Sequence, residues 1–237
     1  MTELVVVADA EAAARRVADQ LAWRLADARR RDRAFHVALA GGDTPRRAYE
    51  LLGAMEGSWD HVHLWLGDER CVPRDHPDSN ARMVDESLYA HARAQPPRLH
   101  PVDGSAVPED AAWLYARELA ELVPDGVFDL VLLGLGDNGH TASLFPGTAA
   151  VHERERWAVA EQVAAEPRWR VTLTPVVINA AGEVVFLVSG REKAATLARV
   201  LDGLYQPHAL PAQVVSPRSG RVRWLVDAVA AADLRRR

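Results

Sequence analysis

Short apolar runs alternate with longer segments of helical spacing from one end of the chain to the other. Leu4–Ala8, Phe35–Ala40, Val62–Leu66, Phe128–Leu133, Glu183–Val188 and Val222–Val226 read as strands. Several are apolar at nearly every position, as strands covered on both faces are. Trp157–Val163 and Val171–Leu173 are shorter strand candidates. Glu11–Arg31 carries Ala12, Val17, Leu21 and Leu25 near helical spacing, and Tyr49, Leu51 and Leu52 belong to a second helix. Further helices are expected from about Ala81 to Ala92, over Pro108–Leu122, where Pro108 marks the start, and over Lys193–Leu201 and Asp227–Leu234. This interleaving predicts an α/β fold: a doubly wound, mainly parallel sheet with helices on both faces, Rossmann-like in plan. No internal repeat, low-complexity tract or long linker divides the chain, so residues 1–237 are expected to form a single domain.

The run Phe128–Leu133 ends abruptly in Gly134, Gly136 and Gly139, interleaved with Asp137 and Asn138 and followed at once by His140. Thr141-Ala142-Ser143 then reads as a helix start. Open α/β sheets bind ligands beyond the carboxyl ends of their strands, so an imidazole stands where such folds do chemistry. Its ordinary pKa of about 6.5 suits a general base near neutral pH. The glycine spacing formally matches a dinucleotide fingerprint. Asp137, Asn138 and His140 would crowd a pyrophosphate, however, and no dinucleotide is expected. Ser143 lies outside any Gly-x-Ser-x-Gly elbow, which argues against a serine nucleophile.

Three other strand ends carry polar clusters. After Phe35–Ala40 comes Gly41-Gly42-Asp43-Thr44-Pro45-Arg46. Two glycines allow close backbone approach, Thr44 suits an N-cap and Pro45 the first helical position, which together form an anion site at a helix N-terminus. Arg46 adds charge, although Asp43 would repel a phosphate, and a plain strand-to-helix turn has the same composition. Gly67-Asp68-Glu69-Arg70 ends the third strand as either a solvated turn or a site wall, followed by a polar loop, Pro73–Asn80. Asp75, His76 and Asp78 are too closely spaced around Pro77 to suggest a metal, and no zinc pattern is present. Ser189-Gly190-Arg191-Glu192-Lys193 ends the strand 183–188.

Composition sharpens two of these points. The net charge of −5 argues against a general nucleic-acid partner, so cations for an anionic small substrate must be gathered locally. Lysine and arginine number 28 together, and Lys193 is the one lysine among them. A lysine is a compact point charge, unlike the planar arginine fork. Cys71 is the sole cysteine, which excludes an internal disulfide and fits a reducing, cytoplasmic compartment. Charged residues from Glu3 onward and the lack of any run near 20 apolar residues argue against a leader or a membrane span. Arg235-Arg236-Arg237 reads as a solvated tail.

Four blocks taken in order resemble the 6-phosphogluconolactonase family: Gly41-Gly42-Asp43-Thr44-Pro45; Asp68-Glu69-Arg70 with Val72-Pro73 and Asp75–Asn80; Gly134–Pro146; and Val171–Thr174 running to Gly190–Ala194. The resemblance implies cofactor-free hydrolysis of 6-phospho-D-glucono-1,5-lactone to 6-phosphogluconate in the oxidative pentose phosphate pathway. It makes His140 the base that activates water, with Asn138 beside it, and Arg70 and Lys193 the cations for the substrate phosphate. Gly41, Gly42 and Thr44 are then donors, and Arg46, Asp68, Glu69 and Asn80 complete the expected substrate contacts. No metal, nucleic acid or membrane partner is implied, and monomer and homodimer both remain open. Two positions depart from the family pattern: Asn138 stands where Asp is usual, and Asp43 where Ser is usual. Glucosamine-6-phosphate deaminase shares the fold and the glycine loops. Its family carries an acidic residue where this chain reads Ala142-Ser-Leu-Phe-Pro146, and tends to carry Tyr at the position of Arg70, so the lactonase is favoured. A non-catalytic sugar-phosphate sensor is disfavoured by His140 and by the lack of a DNA-binding segment before Leu4.

Overall fold

The structure is a computed structural model and describes residues 2–55, 57–92, 96–163 and 166–235. Seven strands form one sheet, paired in parallel throughout: β1 (Thr2–Val7), β2 (Phe35–Leu39), β3 (Val62–Leu66), β5 (Arg98–His100), β6 (Leu130–Leu133), β9 (Glu183–Val188) and β10 (Arg221–Asp227). Their spatial order is β1-β10-β9-β6-β2-β3-β5. The chain winds from β2 outward through β3 to β5, returns to β6 beside β2, and winds the other way through β9 and β10. The switch point therefore falls between β2 and β6, where such sheets open a crevice for ligands.

Alternation along the buried strands feeds two cores. Val37, Leu39, Leu64, Leu66, Leu130 and Leu132 face α1 (Ala10–Arg30), α2 (Asp43–Ala54) and α3 (Asn80–Ser87). Ala38, Trp65, Val131, Leu133, Val184 and Phe186 face α4 (Pro108–Leu122), the short α5 (Pro175–Ile178) and α6 (Ala194–Asp202). Coverage on both faces explains why these strands are apolar at nearly every position rather than at alternate ones. Local signals set the helix ends: the Asp9 carboxylate accepts from the Ala12 N–H at 2.8 Å to cap α1, and Ser79 Oγ accepts from the Arg82 N–H at 3.2 Å to cap α3.

Several expectations need correction. A second sheet, of order β4-β8-β7, is antiparallel and consists of β4 (Asp68–Arg70), β7 (Ala158–Val163) and β8 (Glu166–Leu173). The candidate strands 157–163 and 171–173 belong there, not to the parallel sheet. No helix opens at Thr141: a single bridge joins Thr141 to Leu144, and Ala142 has φ 46°, outside the helical region. Helix α2 begins two residues earlier than Thr44 and Pro45 suggest. Gly42, at φ 105°, is its N-cap, and no side chain caps it. The expected helix Asp227–Leu234 is only a 3-10 turn, Ala230–Asp233, held by the Asp227 carboxylate accepting from the Ala230 N–H. Arg236 and Arg237 of the expected tail lie outside the described residues, while the Arg235 N–H donates to Asp202. No helix among the described residues is long and apolar enough to cross a membrane.

Candidate active site

A cavity of about 240 Å³ opens at the switch point. Ala40, Gly41 and Gly42 after β2, Gly67 and Asp68 after β3, and Leu133 at the end of β6 with Gly134 and Gly136 beyond it form its floor. Its walls carry His140, Arg70, Asn80, Arg170 and Lys193. Three cations and one carboxylate, Asp68, thus face one small space among the described residues. In a protein of net charge −5 this is the local gathering of positive charge that an anionic ligand needs.

His140 rides on the loop after β6. Its ring fits because residue 136 is glycine: a Cβ there would lie 2.0 Å from the imidazole. The backbone N–H of His140 donates to Asn138 Oδ1 at 3.1 Å, and His140 Nδ1 lies 2.7 Å from the same oxygen. An amide N–H can only donate, so the atom it meets is the Asn138 oxygen, and Nδ1 must carry the proton. Nε2 of the neutral ring is left with the lone pair. The ring also stacks on Phe145, with centroids 4.1 Å apart and planes 20° apart. Because no helix follows Gly139, the glycines do not present the helix N-terminus that a dinucleotide fingerprint requires.

Asp68 and Glu69 diverge although adjacent. Asp68 faces the cavity side, accepts from Ser143 Oγ at 2.5 Å and lies 3.7 Å from Arg170. Glu69 turns inward and does not line the cavity. Its carboxylate accepts from the N–H groups of Arg70, Asn80 and Ala81 and from Ser79 Oγ, anchoring the start of α3. Burial pushes the Glu69 carboxyl above the usual carboxylate range against the opposing pull of those hydrogen bonds. Asn80 Nδ2 donates to the Asp68 carbonyl at 2.8 Å, and its amide presses on Gly41, where a Cβ would meet Oδ1 at 2.5 Å. Arg70 donates to the Asp78 carbonyl at 2.7 Å through Nη1, while its buried Nε makes no hydrogen bond. Lys193 sits in a turn before α6 and pairs with Asp137 at 2.5 Å.

Not every expected contact reaches the cavity. Thr44 lies within the first turn of α2, away from the lining. Arg46 is on the outer surface, paired with Glu86 at 3.1 Å. Arg168 pairs with Asp78, also away from the lining. Asn138 stands behind His140 rather than at the cavity. Arg170 is the residue that sequence reasoning missed. It is 6% exposed and stands directly opposite Arg70 in the β4–β8 register. Only the pairing of β8 with β4 brings it to the site. Among the described residues no cluster of three or more potential metal ligands is present.

The profile of the glucosamine-6-phosphate isomerases/6-phosphogluconolactonase family matches residues 8–224. A 6-phosphogluconolactonase from Synechocystis is 40% identical over 205 residues, covering 84% of each chain. One from Nostoc is 35% identical over 237 residues, covering 97% of each. Among solved structures, the 6-phosphogluconolactonase of Trypanosoma brucei superposes with a TM-score of 0.87 at 29% identity, covering 99% of each chain. That of Thermotoga maritima gives 0.83 at 30% identity, covering 96% of this chain and all of the other. A monomeric glucosamine-6-phosphate deaminase, at 22% identity and a TM-score of 0.82, covering 98% of this chain and 99% of the other, shares the fold. The chain belongs to the glucosamine-6-phosphate isomerase/6-phosphogluconolactonase family.

Proposed function

We propose that the protein hydrolyses 6-phospho-D-glucono-1,5-lactone to 6-phospho-D-gluconate, the second step of the oxidative pentose phosphate pathway. The observation that carries this reading is a histidine of fixed tautomer at the wall of a cavity lined by three cations. The lactonase relatives span most of the chain and support the same substrate class.

In this reading Nε2 of neutral His140 takes a proton from water as the water oxygen attacks the lactone carbonyl. The carbonyl oxygen becomes an oxyanion, stabilised by the positive potential of the cavity. Collapse of the tetrahedral intermediate breaks the bond between the carbonyl carbon and the ring oxygen. The imidazolium then returns its proton to that leaving alkoxide, and His140 is neutral again. Asn138 holds the tautomer but places no charge beside the imidazolium. Arg70 and Lys193 bind the phosphate, and the charge-assisted contacts they make are stronger than neutral ones. Gly41 and Gly42 bring the backbone close, Asn80 keeps the glycine turn and β4 apart, and Asp68 accepts from a sugar hydroxyl. No metal or cofactor takes part, the protein is cytoplasmic, and it acts as a monomer or homodimer.

The segment Ala142–Pro146 bears on the deaminase alternative. It supplies the cluster with a hydroxyl, Ser143, and a ring, Phe145, and brings no carboxylate there. The test offers the purified protein freshly made 6-phosphogluconolactone and, separately, glucosamine 6-phosphate. Hydrolysis well above the spontaneous rate with no ammonia release is expected. Ammonia release without lactone hydrolysis would overturn the reading.

A further inference from the structure

Arg170 is buried, borders the cavity, and touches the ring on which His140 rests. Its guanidinium carbon lies 5.4 Å from the Phe145 centroid, and the Phe145 ring stacks on the His140 imidazole at 4.1 Å. The loop carrying both rings is clipped to the small antiparallel sheet. The Ser143 N–H donates to Thr172 Oγ1 at 3.2 Å, Ser143 Oγ donates to Asp68, and Arg170 Nη1 lies 3.5 Å from Ser143 Oγ. Thr172 and Arg170 are two residues apart on β8 and so share a face, with Asp68 opposite Thr172 and Arg70 opposite Arg170. Directly opposed like charges destabilise a strand pair, so a second arginine at this position asks for a role.

We propose that Arg170 is a positioning residue for His140: it holds the Phe145 ring under the imidazole and disfavours a second positive charge there, keeping the base neutral. The proposal rests on the reading of His140 as the base. A cation over the ring face is an attractive contact that fixes the ring. The same cation repels the imidazolium that forms on proton uptake, so the proton is held weakly and passes on to the leaving alkoxide. Other charges face His140 from every side of the site. Asp137, on its own loop, is paired with Lys193 from the turn before α6. Arg70 and Asp68 stand on β4, Asp68 lying 3.7 Å from Arg170. Removal of the Arg170 charge therefore both subtracts a cation and uncovers an anion, and the two effects act in the same direction.

The experiment is an NMR titration of His140 in the full-length protein with labelled histidine, for wild type, Arg170→Gln and Arg170→Lys. Gln keeps a polar group for Ser143 and Asp68 without the charge, and Lys keeps the charge without the fork. Arg170→Gln is expected to raise the His140 midpoint by about half a pH unit or more, as a unit charge at this range predicts. Arg170→Lys should leave it unmoved, and the acid limb of kcat/KM should follow the midpoint. An unchanged midpoint in Arg170→Gln overturns the proposal, as does a loss of activity that is equal at all pH values. If Arg170→Gln fails to fold, Phe145→Leu carries the test: kcat should fall about tenfold or more with KM little changed. An unaltered kcat in that variant would overturn it. A wild-type protein that titrates as expected but leaves the lactone untouched defeats the proposed function and not this coupling.

Discussion

His140 meets Asn138 twice: one amide oxygen accepts from the histidine backbone N–H at 3.1 Å and lies 2.7 Å from its Nδ1. The pair fixes which ring nitrogen is basic by geometry alone, without a charge. Where the family carries aspartate, a carboxylate would do the same and would also stabilise the imidazolium.

Asn138→Asp should therefore raise the proton affinity of His140. The acid limb of the kcat/KM profile is expected to move up by about one pH unit, as an adjacent carboxylate commonly achieves. Activity above that limb should equal or exceed wild type. A profile superimposable on wild type would mean that the contact carries no electrostatic weight.

Gly136→Ala places a methyl group 2.0 Å from the imidazole. The ring must swing away, so kcat should fall about a hundredfold or more, since small misplacement of a reacting group is costly. Thermal unfolding should change little, because the displaced ring is at the cavity wall. Retained kcat would show that His140 is not needed in this position.

Lys193→Ala removes the one lysine from the cavity and leaves Asp137 without this partner. Phosphate binding is common to substrate and transition state, so KM should rise about tenfold or more with kcat nearly unchanged. Steady-state kinetics on the phosphorylated lactone measure both parameters. A fall confined to kcat would place Lys193 at the reacting carbonyl instead.

Away from the cavity lining, three histidines stack across β2, β3 and β5. His36 lies on His63 at 4.7 Å, and His63 on His100 at 5.2 Å. Trp65 Nε1 donates to His36 Nδ1 at 3.2 Å, which holds that nitrogen deprotonated. Burial, reinforced by the neighbouring His63, depresses His36 to about 4, and burial also lowers His63 and His100. Folded values below unfolded ones mean that the unfolded chain binds more protons between about pH 4 and 6.5. Stability should therefore rise with pH across that window, with His36 contributing up to roughly 3 kcal/mol. Urea unfolding of wild type and His36→Gln at pH 4.5 and 7 reads this directly. Equal pH dependence in the two proteins would remove His36 as a source.

Buried strands and their glycine ends were legible because each is a local pattern. Phe128–Leu133 reads as a strand from its own composition, and the close approach of Gly136 to His140 lies within five residues. The wall formed by β4 and β8 was not legible, since three charged residues after a strand look the same whether solvated or paired. Glu69 illustrates the cost: it resembles a ligand in sequence, yet it spends its oxygens on the start of α3. Arg170 is invisible for a related reason. Arg168 and Arg170 are two residues apart on β8 and share a face, and only the register with β4, which pairs Arg170 and ends before Arg168, places Arg170 at the cavity. The helix expected at Thr141 does not form: Ala142 at φ 46° leaves the helical region, the Leu144 N–H donates back to the Thr141 carbonyl in a single turn, and Ser143 bonds Asp68 and Thr172.

The most direct measurement is kcat/KM for hydrolysis of 6-phosphogluconolactone by wild type and by His140→Ala, with circular dichroism confirming that both fold. Loss of a general base predicts a fall of about 10²–10⁴-fold, to a rate near the spontaneous one. Activity of His140→Ala within a few-fold of wild type would contradict the assignment of His140 as the base.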